Sequence, residues 1–391
     1  MVILFVTPYL GKRGEVAKGG GLETYLLRVT GALKKMGHTP IILAFGAHDM
    51  HYMSDGIDIY FTRAPQGNLF TNGKIALMYD RVTTSIAMNC KVREIVKQRD
   101  VDLIQFPSPY ALSLCYFGKI PAVMRLSSYS KVYNNYEEFD KAQISIWGLC
   151  ERLAAVRCKA VFAPSNVIAG IFSQDIHRKV FVIESPFWND CKRCDNRLYQ
   201  EKLADKKYFL FFGRLVADKG ILVIAEILRC FLKSHPEYYF VCCGSDTVIN
   251  GERAVHILKM AARECADRFV FMPMLPHEVL YPIVQGADFI ISPSLIENFA
   301  NTCVEAMYFK RVVIGTNGAS YEQLIEDGIS GLLCMPGDAE SLLDKMNEAA
   351  GMDEMQKKRI GEMARRRIDR LAPEYTVRKL IRFYQRVITE R

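Results

Sequence analysis

The sequence has no apolar run approaching the ~20 residues that cross a bilayer, which excludes a membrane channel. It has no Gly-x-x-x-x-Gly-Lys-Ser/Thr phosphate loop and no Gly-x-Ser-x-Gly nucleophile elbow. Its seven histidines, His38, His48, His51, His177, His235, His256 and His277, show no metal-site spacing. Asp100-Val101-Asp102 leads directly into an apolar run and reads as a strand entry rather than a metal ligand. Among twelve cysteines only Cys191 and Cys194 make a Cys-x-x-Cys pair, and no second pair accompanies it, which argues against zinc. The opening Met1–Val6 lacks the basic stretch of a secretion signal and reads as a buried strand. The thiols are therefore expected to be reduced and mostly packing groups, Cys242 and Cys243 among them, in a cytoplasmic protein. Collagen, coiled coil and disulfide scaffold are excluded by the same composition.

What is present is a chain of 391 residues, half of them hydrophobic and 24% charged. That is enough to bury sizeable cores, and the length suggests two or three domains at ~150 residues each. The net charge of +8 is local. Residues 356–391 hold twelve Lys/Arg against four Asp/Glu, so the rest of the chain is neutral. A nucleic-acid binder would spread cations over its binding face, and no nucleic-acid partner is expected.

Short Val/Ile/Phe-rich runs alternate with stretches of helical period. Strands are expected at 2–7, 40–45, 102–106, 121–125, 160–163 and 179–183, then at 208–212, 238–243, 268–272, 288–292, 312–315 and 331–334. Helices are expected near 22–36, 74–98, 140–157, 219–233, 252–265, 277–285, 301–309 and 338–350. Apolar runs with little alternation suit strands covered on both faces, and strand–helix–strand repetition means parallel sheets. The pattern breaks at the polar, turn-rich stretch 184–206. The expected class is α/β, with two doubly wound Rossmann-like domains over 1–187 and 188–373. The last segment, 374–391, is an amphipathic helix. Its apolar stripe is Val377, Leu380, Ile381, Tyr384, Val387 and Ile388, and Arg378, Arg382 and Arg386 line another face. Packing on the body and contact with anionic lipid headgroups both fit it.

Open parallel sheets bind ligands beyond the carboxyl ends of their strands. After 208–212 come Gly213, Arg214 and Lys219. Gly213 permits close backbone approach, and two cations at a strand end suit a diphosphate. Two solvated basic residues at a turn, paired with Asp218, fit the same spacing. After 288–292 come Glu297, Asn301, Thr302 and Glu305. A helix beginning near Asn301 or Thr302 would present free N–H groups to an anion, and a carboxylate can accept two vicinal hydroxyls of a ribose or hexose. Thr302-x-x-Glu305 also fits a capping box, and Glu297 also fits an exposed loop acid. Near the start, Gly19-Gly20-Gly21 precedes the helix at Leu22, where N–H groups could approach a ligand or the loop could simply be flexible. The glycines lack the third position and tight turn of a dinucleotide fingerprint.

Together these segments resemble the retaining glycosyltransferases of the GT-B fold, family 4. Glu297-x7-Glu305 within ISPSLIENFANTCVEAM is similar to that family's E-x7-E signature. FFGRLVADKG resembles its phosphate-binding strand end, and VVIGTNGASYEQLIEDGISGLL the segment after the signature. GGGLETYLLRVTGALKKMGHTPIIL resembles its opening glycine loop, helix and second strand. The resemblance implies two domains facing across a cleft, with the final helix crossing back to the first. Arg214 and Lys219 would hold the diphosphate of a UDP- or GDP-sugar without a metal or other cofactor. Glu305 would take the ribose hydroxyls and Glu297 the donor sugar. Gly213 and backbone N–H groups near Asn301 and Thr302 would add to the phosphate site, Gly20 and Gly21 would approach from the facing domain, and Glu322 falls at the family's post-signature glutamate.

One departure is plain. Members often carry a histidine after each of the strands 102–106 and 121–125, where this chain has Gln105-Phe106-Pro107 and Arg125-Leu126-Ser127-Ser128. Arg125, Ser127 and Ser128 are the acceptor-side candidates in their place. The implied reaction moves a sugar to a hydroxyl of a saccharide or lipid-linked saccharide, in polysaccharide biosynthesis, with the basic helix at the membrane's inner face. A sugar-nucleotide 2-epimerase and a non-catalytic glycan- or nucleotide-sugar-binding relative are the alternatives.

Overall fold

The structure, a computed structural model, describes residues 1–11, 20–65, 73–133, 140–189, 191 and 193–390. The chain divides into two compact units, Met1–Pro186 with Ala372–Arg391, and Phe187–Leu371.

The first unit runs β1 (Val2–Thr7), α1 (Gly20–Lys35), β2 (Thr39–Gly46), β3 (Met50–Ser54), β4 (Ile57–Arg63), α2 (Lys74–Gln98), β5 (Leu103–Pro107), β6 (Ala122–Arg125), α3 (Lys141–Val156), β7 (Ala160–Ala163), α4 (Asn166–Ile176) and β8 (Val180–Val182). Its sheet has the order β3-β4-β2-β1-β5-β6-β7-β8. All neighbours are parallel except the edge pair β3–β4. The central strands are buried on both faces, as their unbroken apolar sequences require. One face packs on α2, α3 and α4. The other packs on α1 and on the C-terminal helix, which contributes Val377, Leu380, Phe383, Tyr384 and Val387. Asp102 does enter a strand: its carboxylate accepts the Val2 N–H at 2.7 Å, tying the starts of β1 and β5.

The second unit runs α5 (Arg197–Lys202), β9 (Lys207–Phe212), α6 (Ile221–Ser234), β10 (Tyr238–Cys243), a small hairpin of β11 (Val248–Ile249) and β12 (Glu252–Arg253), α7 (Ala254–Ala262), β13 (Phe269–Met272), α8 (His277–Gly286), β14 (Phe289–Ile291), α9 (Asn301–Tyr308), β15 (Val312–Thr316), β16 (Leu332–Cys334), α10 (Ala339–Ala350) and α11 (Glu354–Asp369). The chain then returns to the first unit as α12 (Pro373–Thr389). The second sheet is wholly parallel, in the order β13-β10-β9-β14-β15-β16. From β9 the chain moves outward through β10 to β13, then jumps back to the other side of β9 at β14. The order reverses between β9 and β14, and such a switch point is where an open parallel sheet leaves a crevice at its strand ends.

The sequence reading passes over several elements. β3 and β4 are absent from it: β3, MHYMS, is a largely exposed edge strand, and β4, IDIYFTR, is buried but has its apolar run interrupted by Asp58 and Thr62. It also omits α4, α5 and α11. The strongly polar α11 reads as part of a basic tail, yet Asp353 and Gln356 close a capping box at its start and Ile360, Ala364 and Ile368 are buried.

Candidate active site

The site in the second unit is built from two loops that the switch point makes neighbours. The first follows β9. Gly213 has φ +137°, and its carbonyl lies where a Cβ on Gly244, after β10, would stand only 1.7 Å away. Both strand ends therefore depend on residues without side chains. Gly220, at φ +78°, closes the same loop, and a Cβ there would meet the Pro293 carbonyl at 2.2 Å. That close approach seats the first loop against the second, which follows β14. The Leu295 N–H donates to the Asp218 carbonyl at 2.8 Å, fixing their register.

The consequence is an ion pair between Lys219 and Glu297, from opposite sides of the switch point. The Glu297 Oε1 also accepts from the Ser294 hydroxyl at 3.0 Å and lies 3.5 Å from the Tyr321 hydroxyl. Tyr321, fully buried, donates to Ser294 Oγ at 3.0 Å and shares a hydrogen bond with Ser292 Oγ at 2.7 Å. Burial pushes the Tyr321 phenol well above its usual range, so it remains a donor. The Ser320 hydroxyl donates to the Glu297 carbonyl at 2.7 Å. Glu297 is thus buried and held at both its carboxylate and its backbone, and the exposed-loop reading is overturned.

Arg214 projects into solvent at the end of β9, in the electrostatic reach of Asp218. Asp218 is buried, which raises its carboxyl pKa, with Lys219 and then Arg214 drawing it back. The reading of both cations as solvated turn residues therefore fits Arg214 but not Lys219.

α9 begins at Asn301, and its N-cap is Ala300, which offers no side-chain cap. Thr302 lies inside the first turn, so the capping-box reading of Thr302 and Glu305 is not realised. The Thr302 hydroxyl lies 3.5 Å from Ser292 Oγ, and its methyl would be 3.7 Å from a Cβ at Gly213. The start of α9 consequently faces the end of β9. Glu305, one turn on, is buried, with the His277 Nε2 at 3.9 Å from its Oε1. His277 stacks on Tyr281 at 4.8 Å between ring centroids. Glu322 points outward and accepts the Gly318 N–H at 3.1 Å, beside Tyr321 in sequence rather than in the ion-pair cluster.

The sequence candidates of the first unit fall elsewhere. Gly20 and Gly21 form the exposed first turn of α1, two residues earlier than the expected start, while Gly19 lies outside the described residues. Arg125 ends β6 with its guanidinium buried, 3.6 Å above the Tyr25 ring. It donates to Ser127 Oγ at 2.8 Å and Ser185 Oγ at 3.0 Å. Burial lowers its pKa from the usual arginine value. Ser127 and Ser128 are half-buried and anchored by Ser108, whose hydroxyl accepts both of their N–H groups and donates to the Ser128 carbonyl at 2.5 Å.

Sequence reasoning missed Ser292, Ser294, Ser320 and Tyr321 as partners of Glu297, and His277 as the neighbour of Glu305. Ser292-Pro293-Ser294 directly after a strand was the available signal for the first two. Nothing local marks Tyr321, because its role depends on where β15 lies. Among the described residues no group of three or more His, Cys, Asp or Glu is placed to hold a metal ion. Two surface grooves of about 450 and 560 Å³ include none of the cluster side chains.

Two parallel-sheet units of this kind define the GT-B class of fold. Solved structures share it over nearly the whole chain. Sucrose-phosphate synthase from Thermosynechococcus elongatus is 17% identical, with a TM-score of 0.77 over 99% of this chain and 98% of that one. Anabaena Alr3699/HepE, solved with UDP and glucose, is 17% identical, with a TM-score of 0.72 over 99% and 100%. Two family models match in tandem, Glycosyltransferase Family 4 over residues 19–186 and Glycosyl transferases group 1 over residues 196–367. The chain belongs to the family 4, group 1 glycosyl transferases. Among curated relatives, the putative glycosyltransferase YtcC of Bacillus subtilis is 24% identical over 52% of each chain. The 2-deoxystreptamine glucosyltransferase of Streptomyces kanamyceticus is 22% identical over 80% of this chain and 82% of that one. The chain spans about half the length of several curated relatives that it matches, YtcC among them.

Proposed function

We propose that this protein is a retaining, metal-independent glycosyltransferase. It moves a sugar from a UDP- or GDP-sugar to a hydroxyl of a saccharide or lipid-linked saccharide, in polysaccharide biosynthesis. The observation that carries the reading is the meeting of Lys219 with Glu297 at the switch point of the second sheet, beside Gly213, Arg214 and the start of α9. Family membership and the UDP held by the Anabaena relative support a nucleoside-diphosphate donor.

In this reading the diphosphate lies over Gly213 and the N–H groups of Asn301 and Thr302. Arg214, already facing solvent, and Lys219, which exchanges Glu297 for phosphate, bring two positive charges to it. Glu297 is then released to accept hydroxyls of the donor sugar, and Glu305 accepts those of the ribose. Glu322 lies at the margin of this site. The acceptor oxygen attacks the anomeric carbon on the face from which the phosphate departs. The new C–O bond forms as the old one breaks, the electron pair leaves on the diphosphate, and a phosphate oxygen takes the acceptor proton. The cations stabilise the charge that develops there, the role a metal ion would otherwise fill. In the first unit, Gly20 and Gly21 offer the N–H groups at the start of α1. Ser127 and Ser128 are its acceptor-side groups, with Arg125 holding Ser127 from beneath. The basic face of α12 offers charge to a lipid-linked acceptor.

Thermal-shift measurement against a panel of nucleoside-diphosphate sugars tests the reading. A ligand at a hundred times its Kd should stabilise the fold by about 2.7 kcal/mol. The matching donor is expected to raise Tm in the intact chain and not in Glu305→Ala. No response to any member of the panel would refute it, and isomerisation of the donor in place of transfer would favour the epimerase.

A further inference from the structure

Arg125, at the end of β6, is a buried cation with no anion beside it. Only 5% of the residue is exposed. Its Nη1 and Nη2 donate to the neutral hydroxyls of Ser127 and Ser185, and its face lies against the Tyr25 ring. Among the described residues its Nε has no hydrogen-bond partner. The titratable groups that act on it are the phenols of Tyr25 and Tyr384, and burial raises both, so they stay protonated and neutral. The acids nearest in sequence lie apart from it. Glu23 accepts the Gly11 N–H at 2.7 Å, and Glu184, next to Ser185, is not among the charges acting on Arg125. Taking an isolated charge out of water costs far more than two hydroxyls and one aromatic face offset. Other side chains escape by losing the charge, whereas an arginine keeps its proton.

The same side chain lines a small cavity at a place where open parallel sheets bind ligands. β2 pairs with one side of β1 and β5 with the other, so the first sheet has its own switch point between β1 and β5. Thr7 of β1, Gln105 of β5, Arg125 and Ser127 line a cavity of about 10 Å³ there, together with Leu22 and Tyr25 of α1. The polar groups around it are donors. The Ser127 hydroxyl accepts from Arg125 at 2.8 Å, which leaves its own proton to give. Tyr384 donates to Gln105 Oε1 at 2.5 Å, which leaves the amide N–H groups of Gln105 to give. Leu22 belongs to the first turn of α1, whose positive end adds to the field of the guanidinium. A cavity of this volume admits one particle about the size of a water. A water would satisfy the Nε donor and leave the charge uncompensated. A carboxylate or phosphate brings at least three heavy atoms and exceeds the volume. A single halide ion meets both demands.

We propose that the cavity at the switch point of the first sheet is a chloride site, in which the ion accepts from Arg125 Nε, the Ser127 hydroxyl and the Gln105 amide. The ion neutralises the guanidinium where the protein supplies no carboxylate. It also ties together the ends of β5 and β6 and the start of α1, the elements that carry these side chains. The unfolded chain has no such site, so chloride stabilises the folded state by mass action. None of this depends on the transferase reading.

Thermal unfolding of the full chain in sodium chloride, bromide and gluconate at matched ionic strength tests the proposal. At about ten times its Kd, chloride is expected to raise Tm by about 3–6 °C over gluconate, saturably, with bromide able to replace it. Arg125→Met, similar in length and uncharged, should unfold alike in chloride and gluconate. Should that variant misfold, crystals of the intact chain grown in bromide give the second reading, an anomalous peak between Arg125 and Ser127. Equal Tm of the intact chain in chloride and gluconate would overturn the proposal, as would bromide crystals with no peak at that place. A Tm raised by phosphate or glucuronate but not by chloride, and lost in Arg125→Met, would also overturn it by assigning the cavity to an oxyanion. Stabilisation by a nucleoside-diphosphate sugar is measured separately in gluconate, so failure of the chloride site and failure of the donor site give different results.

Discussion

Lys219 and Glu297, 78 residues apart, neutralise one another in this structure, and that makes their two substitutions unequal tests. Arg214→Ala removes a solvent-facing charge, so Tm should hold while kcat/KM falls. Lys219→Ala removes a charge and also leaves the buried Glu297 carboxylate without its cation. It should lower kcat/KM and also cost on the order of 1–3 kcal/mol of stability. Loss of either contact to a developing phosphate charge is expected to cost ~10²-fold in turnover. Near-normal steady-state rates in both variants would remove the phosphate assignment. A second residue-scale effect concerns Glu151 of α3. Burial raises its carboxyl to about 7, although the Ser130 N–H and hydroxyl donate to it at 3.0 and 2.9 Å. The folded state then holds a proton that the unfolded state has released. Stability from this group is complete below the ordinary glutamate range and is lost as pH rises towards 7, by no more than about 1.4 kcal/mol per pH unit. Urea unfolding of Glu151→Gln across that window should show a smaller fall with pH than the parent, and an identical pH profile would contradict the assignment.

At the scale of the element, α12 completes the first unit. Its apolar stripe was legible from the spacing of Val377, Leu380, Tyr384 and Val387, but Phe383, which packs on Phe162 at 5.3 Å, was not part of that pattern. The Tyr384 hydroxyl donates to Gln105 of β5 at 2.5 Å, so the helix is joined to the sheet by a buried polar contact as well as by packing. Leu380→Ala should therefore destabilise the protein by about 2–5 kcal/mol in chemical denaturation, whereas an exposed change such as Arg382→Ser should be nearly neutral. The strands read most surely from sequence are β1, β2, β9 and β10, because strands buried on both faces need continuous apolar runs. β3 escaped because an exposed edge strand needs no apolar run, and β4 because Asp58 and Thr62 interrupt its own. α11 escaped because its four buried residues, Ile360, Gly361, Ala364 and Ile368, are scattered through a highly charged segment.

For the whole molecule, charge compensation by Arg214 and Lys219 predicts that excess EDTA leaves transfer activity unchanged, measured as product formed with and without chelator. A loss restored by one divalent cation would contradict it. The sequence by itself determined the alternation of strand and helix and which residues follow each strand. These are short-range properties, set by hydrophobic period, turn chemistry and the covalent order of the chain. Only the tertiary structure decided that β14 lies beside β9, that the two strand-end loops interlock through Gly220 and Pro293, and that Tyr321 reaches under Glu297 from beyond β15. It also decided that Glu305 is not a cap. Strand order follows from how whole faces pack, so contacts between distant loops are settled by the assembled sheet and not by any one segment.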